Sequence, residues 1–137
     1  MDWKYLLFSF EGRINRKPFW LTLLALTVIT MIVEYALFAL FGVSMVPQID
    51  PNAAPDAVQA AIAANTSKML PIVGILSLLL LWPNLALYTK RWHDRNKSGW
   101  WTLILIVPFI GALWILIECG FLCGTSGPNR FGQDPLA

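Results

Sequence analysis

The sequence has little charge, because only 13% of its 137 residues are Asp, Glu, Lys or Arg. Soluble domains usually carry about 25% charged residues. So few charges leave too little polar surface to cover a soluble domain, and the same composition excludes an intrinsically disordered chain. Cysteine is also scarce: Cys119 and Cys123 are the two present, four positions apart in an apolar run. This excludes a disulfide-rich scaffold and matches no zinc-ligand spacing.

Catalytic motifs are equally lacking. The sequence contains no phosphate-binding loop, nucleophile elbow, zinc cluster or dinucleotide fingerprint. The single histidine, His93, is followed by Asp94 but has no metal-ligand pattern and no nucleophile near it in the sequence. We therefore predict that the protein is not an enzyme, that it has no catalytic or metal-binding residue and no cofactor, and that it does not bind nucleic acid.

Long hydrophobic runs are what the sequence does have, since 57% of its residues are hydrophobic. A helix needs roughly 20 mostly apolar residues to cross a bilayer core of about 30 Å. Three segments meet this condition, residues 19–41, 69–88 and 100–123, and none has the polar stripe of a soluble amphipathic helix. The sequence predicts one all-α membrane domain over residues 1–137, a bundle of three transmembrane helices.

The connecting segments have distinct compositions. Residues 1–18 include an apolar stretch too short to cross, which predicts a short interfacial helix on the inner leaflet, with a frayed terminus as the alternative. The outer connection, residues 42–68, has prolines at 47, 51 and 55 that predict an extended loop. An alanine-rich helix is expected from Asp56, either continuing into the second span or bending at Pro71. The tail, residues 124–137, consists of turn formers and predicts a coil.

The cations predict the orientation, because short cytoplasmic loops carry the excess of Lys and Arg. Eight of the ten cations precede the first span or lie between the second and third: Lys4, Arg13, Arg16, Lys17, Lys90, Arg91, Arg95 and Lys97. The N-terminus and residues 89–99 are therefore predicted to be cytoplasmic. Three crossings would place the C-terminal tail outside, a prediction that depends on the third segment crossing fully rather than re-entering.

Four motifs in one order carry a family resemblance. Residues 10–20 read FEGRINRKPFW and resemble the FxGRxxRxxFW opening of domain of unknown function 805, a family of small bacterial inner-membrane proteins. Residues 90–101, 107–111 and 127–135 resemble its RRLHDxxxSGWW, IPLIG and GxNxYGxDP segments. Trp92, Phe131 and the long outer connection depart from the pattern. The resemblance implies a multi-pass protein of the bacterial cytoplasmic (inner) membrane and supplies no activity.

The basic residues on the inner side form the first candidate site. Arg13, Arg16 and Lys17 would share one face if residues 13–17 were helical, as would Arg91 and Arg95 if the second span continued inward. One hypothesis is that these cations do no more than orient the spans. The other is that they form one site, bridged by Asp94 or Glu11, that binds an anionic lipid headgroup or a membrane-protein partner.

Two acidic residues inside the predicted spans form the second candidate site, because ionisable groups in a membrane are often functional. Counted along ideal helices, Glu34 and Glu118 would lie roughly 22–27 Å from the inner boundary. They would then share a proton or line one cavity. The alternative is that each lies close enough to the outer interface to contact water or to be hydrogen-bonded singly.

These two sites support different functions. The first is a non-catalytic component of the membrane that binds lipid or protein. The alternative is a subunit of a homo-oligomeric small transporter or channel that uses Glu34 and Glu118.

Overall fold

The computed structural model describes residues 2–46 and 49–136. Within these ranges the regular elements are helical, apart from one isolated β-bridge between Asn129 and Gly132. In chain order they are α1 (Trp3–Phe8), α2 (Arg16–Phe41), α3 (Pro55–Asp94), a 3-10 segment (Gly99–Ile106), α4 (Ile110–Ile115) and a π-helical segment (Leu116–Phe121). The prediction of an all-helical protein is confirmed. Pro47, which contributed to the predicted extended loop, lies outside the described residues.

Helices α2 and α3 are long and apolar enough to cross a membrane. Their most apolar stretches are only 6% and 11% buried within the protein, so these side chains face outward rather than into a protein core. α2 begins three residues before the predicted span, and α3 contains the whole of the second predicted span. Two of the three predicted spans therefore correspond to candidate membrane-spanning helices.

The alanine-rich segment runs into the second span without a break. α3 is one helix of 40 residues that passes through Pro71 and Pro83. Its length is about 60 Å, twice the thickness of the hydrocarbon core. Residues 55–68 of the predicted outer connection are thus helical, and the non-helical part of that connection ends before Pro55.

The structure does not confirm a third spanning helix over residues 100–123. The chain forms the 3-10 segment, turns at Pro108 and returns through α4 and the π-helical segment. Pro108 has no backbone N–H and disfavours helical geometry at Val107. Phe109 then takes a positive φ of 61°. The 3-10 segment has eight residues and is about 16 Å long, half of what a crossing needs.

The hairpin has two arms: the 3-10 segment, and a returning arm that consists of α4 and the π-helical segment. α4 packs closely against the 3-10 segment. A Cβ atom on Gly111 would lie 1.9 Å from the carbonyl oxygen of Ile104 in the other arm. The absence of a side chain at Gly111 is therefore what allows the backbones to approach, and the hairpin depends on glycine at this position.

The chain forms two compact units rather than one evenly packed bundle. The terminal unit comprises residues 1–25 and 80–137, and the central unit comprises residues 26–79. The core of the terminal unit consists of buried side chains from both ends of the chain: Leu6, Ile14, Phe19, Leu87, Trp92, Ile115 and Cys119. In the central unit, Asn65 on α3 exchanges two hydrogen bonds with the backbone of Ser44, which fixes the loop after α2.

Candidate functional site

Asp94 lies at the centre of a buried ion cluster in the terminal unit. Arg13 donates from Nε and Nη2 to Asp94 Oδ1 at 3.2 and 3.1 Å, and Arg91 donates from Nη1 to Asp94 Oδ2. All three side chains are buried. The structure thus shows Asp94 bridging the N-terminal segment and α3. Glu11, the other candidate bridge, is exposed and forms no ion pair in the described part of the chain.

Backbone carbonyls of the C-terminal region accept the other hydrogen bonds of Arg13. Its Nη2 donates to the carbonyl of Thr125 at 2.6 Å and its Nη1 to that of Gly127 at 2.8 Å. Buried charges are tolerated when they are paired and fully hydrogen-bonded. This guanidinium group is therefore saturated by the protein and is not free to bind a headgroup.

Backbone carbonyls also hold Arg91. Its Nε donates to the carbonyl of Cys119 at 2.6 Å, and its Nη2 donates to the carbonyl of Leu122. These acceptors belong to the returning arm of the hairpin and the residue after it. Arg91 thus joins α3 to the end of the hairpin, as Arg13 joins the N-terminal segment to the tail.

The predicted helical face of Arg13, Arg16 and Lys17 is wrong. α2 begins at Arg16, and Arg13 lies before it in non-helical chain that follows Gly12 with its φ of 83°. Arg13 therefore turns inward to Asp94. Arg16 and Lys17 remain exposed at the start of α2, where Arg16 donates one hydrogen bond of 2.9 Å to the carbonyl of Phe121.

Lys90 is a structural residue that the sequence interpretation missed. It is fully buried, and its Nζ donates to the carbonyls of Tyr5 and Leu6 at 2.8 Å and to that of Ser9. The last carbonyls of a helix attract cations, and Lys90 satisfies those at the end of α1. Nothing in the sequence around Lys90 indicates that its side chain contacts a segment more than 80 residues earlier.

Glu118 pairs with two cations of the loop that follows α3. Arg95 Nε lies 2.6 Å from Glu118 Oε2, and Lys97 Nζ lies 3.0 Å from Glu118 Oε1. Burial raises the pKa of this carboxyl, but the hydrogen bonds from Lys97 and Arg95 outweigh it, so that the pKa lies below its ordinary value. Glu118 therefore remains ionised.

The structure does not contain the straight helix on which the predicted depth of Glu118 depends. The prediction assumed a straight helix from residue 100, whereas the turn at Pro108 brings Glu118 back to the level of Arg95 and Lys97. Both of its carboxylate oxygens engage cations rather than a second carboxyl. Glu34 lies half-buried on α2 in the central unit.

The C-terminal tail packs against the end of α3. The backbone N–H and hydroxyl of Thr125 both donate to the carbonyl of Asp94, at 2.8 and 3.1 Å. Asn129 Nδ2 donates to the carbonyl of His93 at 2.9 Å, and the His93 ring stacks on Phe131 with centroids 3.8 Å apart. The tail thus adjoins the N-terminal segment and the 90–97 region.

The prediction that the tail lies outside depends on a full crossing by residues 100–123, which the structure does not confirm. Residues 99–121 form a hairpin whose end lies beside the end of α3, since Arg91 contacts Cys119 and Arg95 contacts Glu118.

Two outward-facing apolar helices joined to a unit rich in buried ion pairs define a small integral membrane protein. The sequence matches the family described as "Protein of unknown function (DUF805)" over residues 7–133, and the chain belongs to this family. The resemblance seen in the four motifs is therefore confirmed. No activity is assigned to the family.

Curated relatives share nearly the whole chain. The protein is similar to the inner membrane protein YhaH of Escherichia coli (strain K12), with 32% identity over 98% of this chain and 97% of the relative. It is also similar to the inner membrane protein YhaI, with 35% identity over 93% of this chain and 86% of the relative. The uncharacterised protein YiiR is 30% identical over the same shares. No solved structure matches.

Proposed function

We propose that the protein is a non-catalytic component of the cytoplasmic membrane that binds anionic lipid headgroups through its terminal unit. The observation that carries this proposal is the distribution of charge: nine of the ten Lys and Arg residues lie in the terminal unit, against five of the eight acids. A positive excess is typical of the cytoplasmic side, where anionic lipids are concentrated. The terminal unit, including both chain ends, is then cytoplasmic.

Exposure distinguishes the cations that would bind lipid from those that hold the fold. Arg13, Lys90 and Arg91 are buried, whereas Arg16 and Lys17 are exposed where α2 begins. A cation at the membrane surface gains roughly 1 kcal/mol from anionic lipid. We therefore assign lipid binding to Arg16 and Lys17.

Aromatic residues near these cations support an interfacial position. Trp3 and Phe8 on α1 and Trp20 on α2 are exposed, although their neighbours Leu6 and Phe19 are buried. Tryptophan is enriched at the membrane interface, where its ring stays dry and its N–H meets polar groups. α1 would then lie on the inner leaflet with Leu6 facing the protein. The alternative is that this surface binds a membrane-protein partner instead of lipid.

The transporter alternative has less support. It required Glu34 and Glu118 at one depth, and Glu118 is engaged by Arg95 and Lys97.

Removing the exposed cations at the start of α2, Arg16 and Lys17, tests lipid binding. We expect Arg16→Gln combined with Lys17→Gln to lower the preference for phosphatidylglycerol over phosphatidylcholine by roughly 30-fold, since each cation contributes about 1 kcal/mol. The preference is measured by native mass spectrometry of the protein in mixed-lipid nanodiscs. Lys68→Gln, in the central unit, is the control and should lower the preference by no more than roughly fivefold, the contribution of one cation. An unchanged preference in the double variant contradicts the proposal.

Labelling from outside the cell tests the orientation. Asn52 and Gln133 are both exposed, one in the loop before α3 and one in the tail. In a background with the exposed Cys123 changed to Ser, we expect a membrane-impermeant maleimide to label Asn52→Cys in spheroplasts and to leave Gln133→Cys unlabelled until the cells are lysed. Labelling of Gln133→Cys in intact spheroplasts would place the tail outside and contradict a cytoplasmic terminal unit.

A further inference from the structure

The hairpin of residues 99–121 has an apolar surface whose exposure is greatest around its turn. Ile106 and Phe109 are 77% and 89% exposed, and Ile110 is also exposed. The sequence contains no charged residue between Ser98 and Glu118. A contiguous exposed apolar surface is typical of a region that contacts a membrane or another protein.

Contacts with α2 show in which direction the hairpin points. Arg16, at the charged start of α2, donates a hydrogen bond of 2.9 Å to the carbonyl of Phe121 at the end of the hairpin. Leu23 lies seven residues further along α2, and it lines a cavity of about 150 Å³ together with Leu105 of the 3-10 segment. The hairpin therefore runs alongside α2 from the charged start of that helix toward its apolar interior. Because α2 is a candidate membrane-spanning helix, this is the direction into the bilayer.

The polar groups of the hairpin lie at its base. Glu118 pairs there with Arg95 and Lys97, and Trp100 and Trp101 are exposed close to the same end. Tryptophan and cations are both favoured at the membrane interface. The 3-10 segment is about 16 Å long, which takes the turn roughly halfway across a hydrocarbon core of about 30 Å.

The backbone of the turn is largely hydrogen-bonded within the hairpin. Val107 donates to the carbonyl of Ile104 at 3.0 Å, and Gly111 donates to the carbonyl of Val107 at 2.9 Å. Ile110 donates to the carbonyl of Pro108 at 2.7 Å, and Pro108 itself has no N–H that needs a partner. Backbone polar groups in hydrocarbon must find their partners within the protein. These bonds therefore suit the turn to a position inside the bilayer.

We propose that this hairpin is a re-entrant membrane element whose exposed face contacts the acyl chains of one leaflet, on the side where the terminal unit lies. Hydrocarbon is the partner that fits, because the charges and indoles stand at the base and the surface beyond them is apolar. This contact is separate from the lipid binding assigned to Arg16 and Lys17, which involves headgroups, and it does not depend on that proposal.

Spin labels on single cysteines test the depth of the hairpin. The background is the full-length protein in phosphatidylcholine liposomes with the exposed Cys123 changed to Ser, since Cys119 is buried. Depth is measured from the collision rates of each label with oxygen and with a water-soluble nickel chelate. We expect labels at Ile106→Cys and Phe109→Cys to collide mainly with oxygen. The label at Ile106→Cys should lie about 12 Å deeper than one at Trp100→Cys, since six residues of 3-10 helix rise by about that distance.

Leu24→Cys is the matched control for depth. Leu24 is exposed on α2, about 12 Å along the helix from Arg16, so its label should show the same preference for oxygen as the label at Ile106→Cys. Gln133→Cys, in the exposed part of the tail, should collide mainly with the nickel chelate. Ile106→Cys alone serves if Phe109→Cys fails to fold.

Several results would overturn the proposal. Frequent nickel collisions at Ile106→Cys and Phe109→Cys would place the turn in water. Low collision rates with both reagents would show that a protein partner or a second copy of this chain covers the turn. Equal depths for Trp100→Cys and Ile106→Cys would show that the hairpin lies flat on the membrane. Labelling of Phe109→Cys in intact spheroplasts by a membrane-impermeant maleimide would show that the turn reaches an aqueous surface.

Discussion

Asp94→Asn is expected to lower the free energy of unfolding by about 3–5 kcal/mol, the cost of removing one partner from a buried ion pair. Asparagine keeps the shape of the side chain but not its charge. Arg13 and Arg91, which are 5% and 0% exposed, would then be buried without a counter-charge. The tail would loosen as well, because Arg13 holds the carbonyls of Thr125 and Gly127.

Thermal unfolding in detergent, followed by circular dichroism, measures this effect. A loss of this size should lower the midpoint by more than about 10 °C. Glu11→Gln is the control, because it makes the same change in charge at an exposed position of the same unit. Equal midpoints for the two variants would mean that the ion cluster contributes little to stability.

Gly111→Ala is expected to destabilise the hairpin by about 1–3 kcal/mol or more, as overpacking does. The added methyl group would lie 1.9 Å from the carbonyl oxygen of Ile104. This neighbour is backbone, so no side-chain rotation relieves the overlap and the two arms must separate. Glu118 and Cys119, which follow on the same arm, would shift away from Arg95 and Arg91.

Gly74→Ala is the matched control for this prediction. Gly74 lies inside α3 with open space around it, so alanine there should stabilise the protein by roughly 0.5–1 kcal/mol. The two variants add the same methyl group and should shift the midpoint of thermal unfolding in opposite directions. A stabilising effect of Gly111→Ala would show that the arms are not in contact.

The two long helices could be predicted because run length and the lack of charge are properties of local sequence. The hairpin could not, and proline shows why. Pro71 and Pro83 lie inside α3 without ending it, whereas the chain turns at Pro108. Whether a proline ends a helix depends on what the following residues pack against, here the close approach of Gly111 to Ile104.

Part of the candidate site could also be predicted, where its residues are close in the sequence. Arg91 and Asp94 are one helical turn apart, and a bridge from Asp94 to Arg13 was one of two hypotheses that the charges allowed. The pairing of Glu118 with Arg95 crosses the unpredicted hairpin. The carbonyl acceptors of Arg13 and Lys90 could not be predicted. Every residue has a carbonyl, and the side chains do not indicate which carbonyls lie close to a given cation.

The buried arginines Arg13 and Arg91 are synthesised before the carbonyl groups that accept their hydrogen bonds. Arg13 leaves the ribosome early, and its acceptor at Thr125 is made 112 residues later. Until the later segments are made, Arg13 and Arg91 lack the carbonyl acceptors that the tail and the hairpin supply. They become interior groups once the hairpin and tail emerge. The terminal unit can therefore close only after the hairpin and Thr125 have been made, and removal of the residues after Thr125 would deprive Arg13 of its acceptor at Gly127.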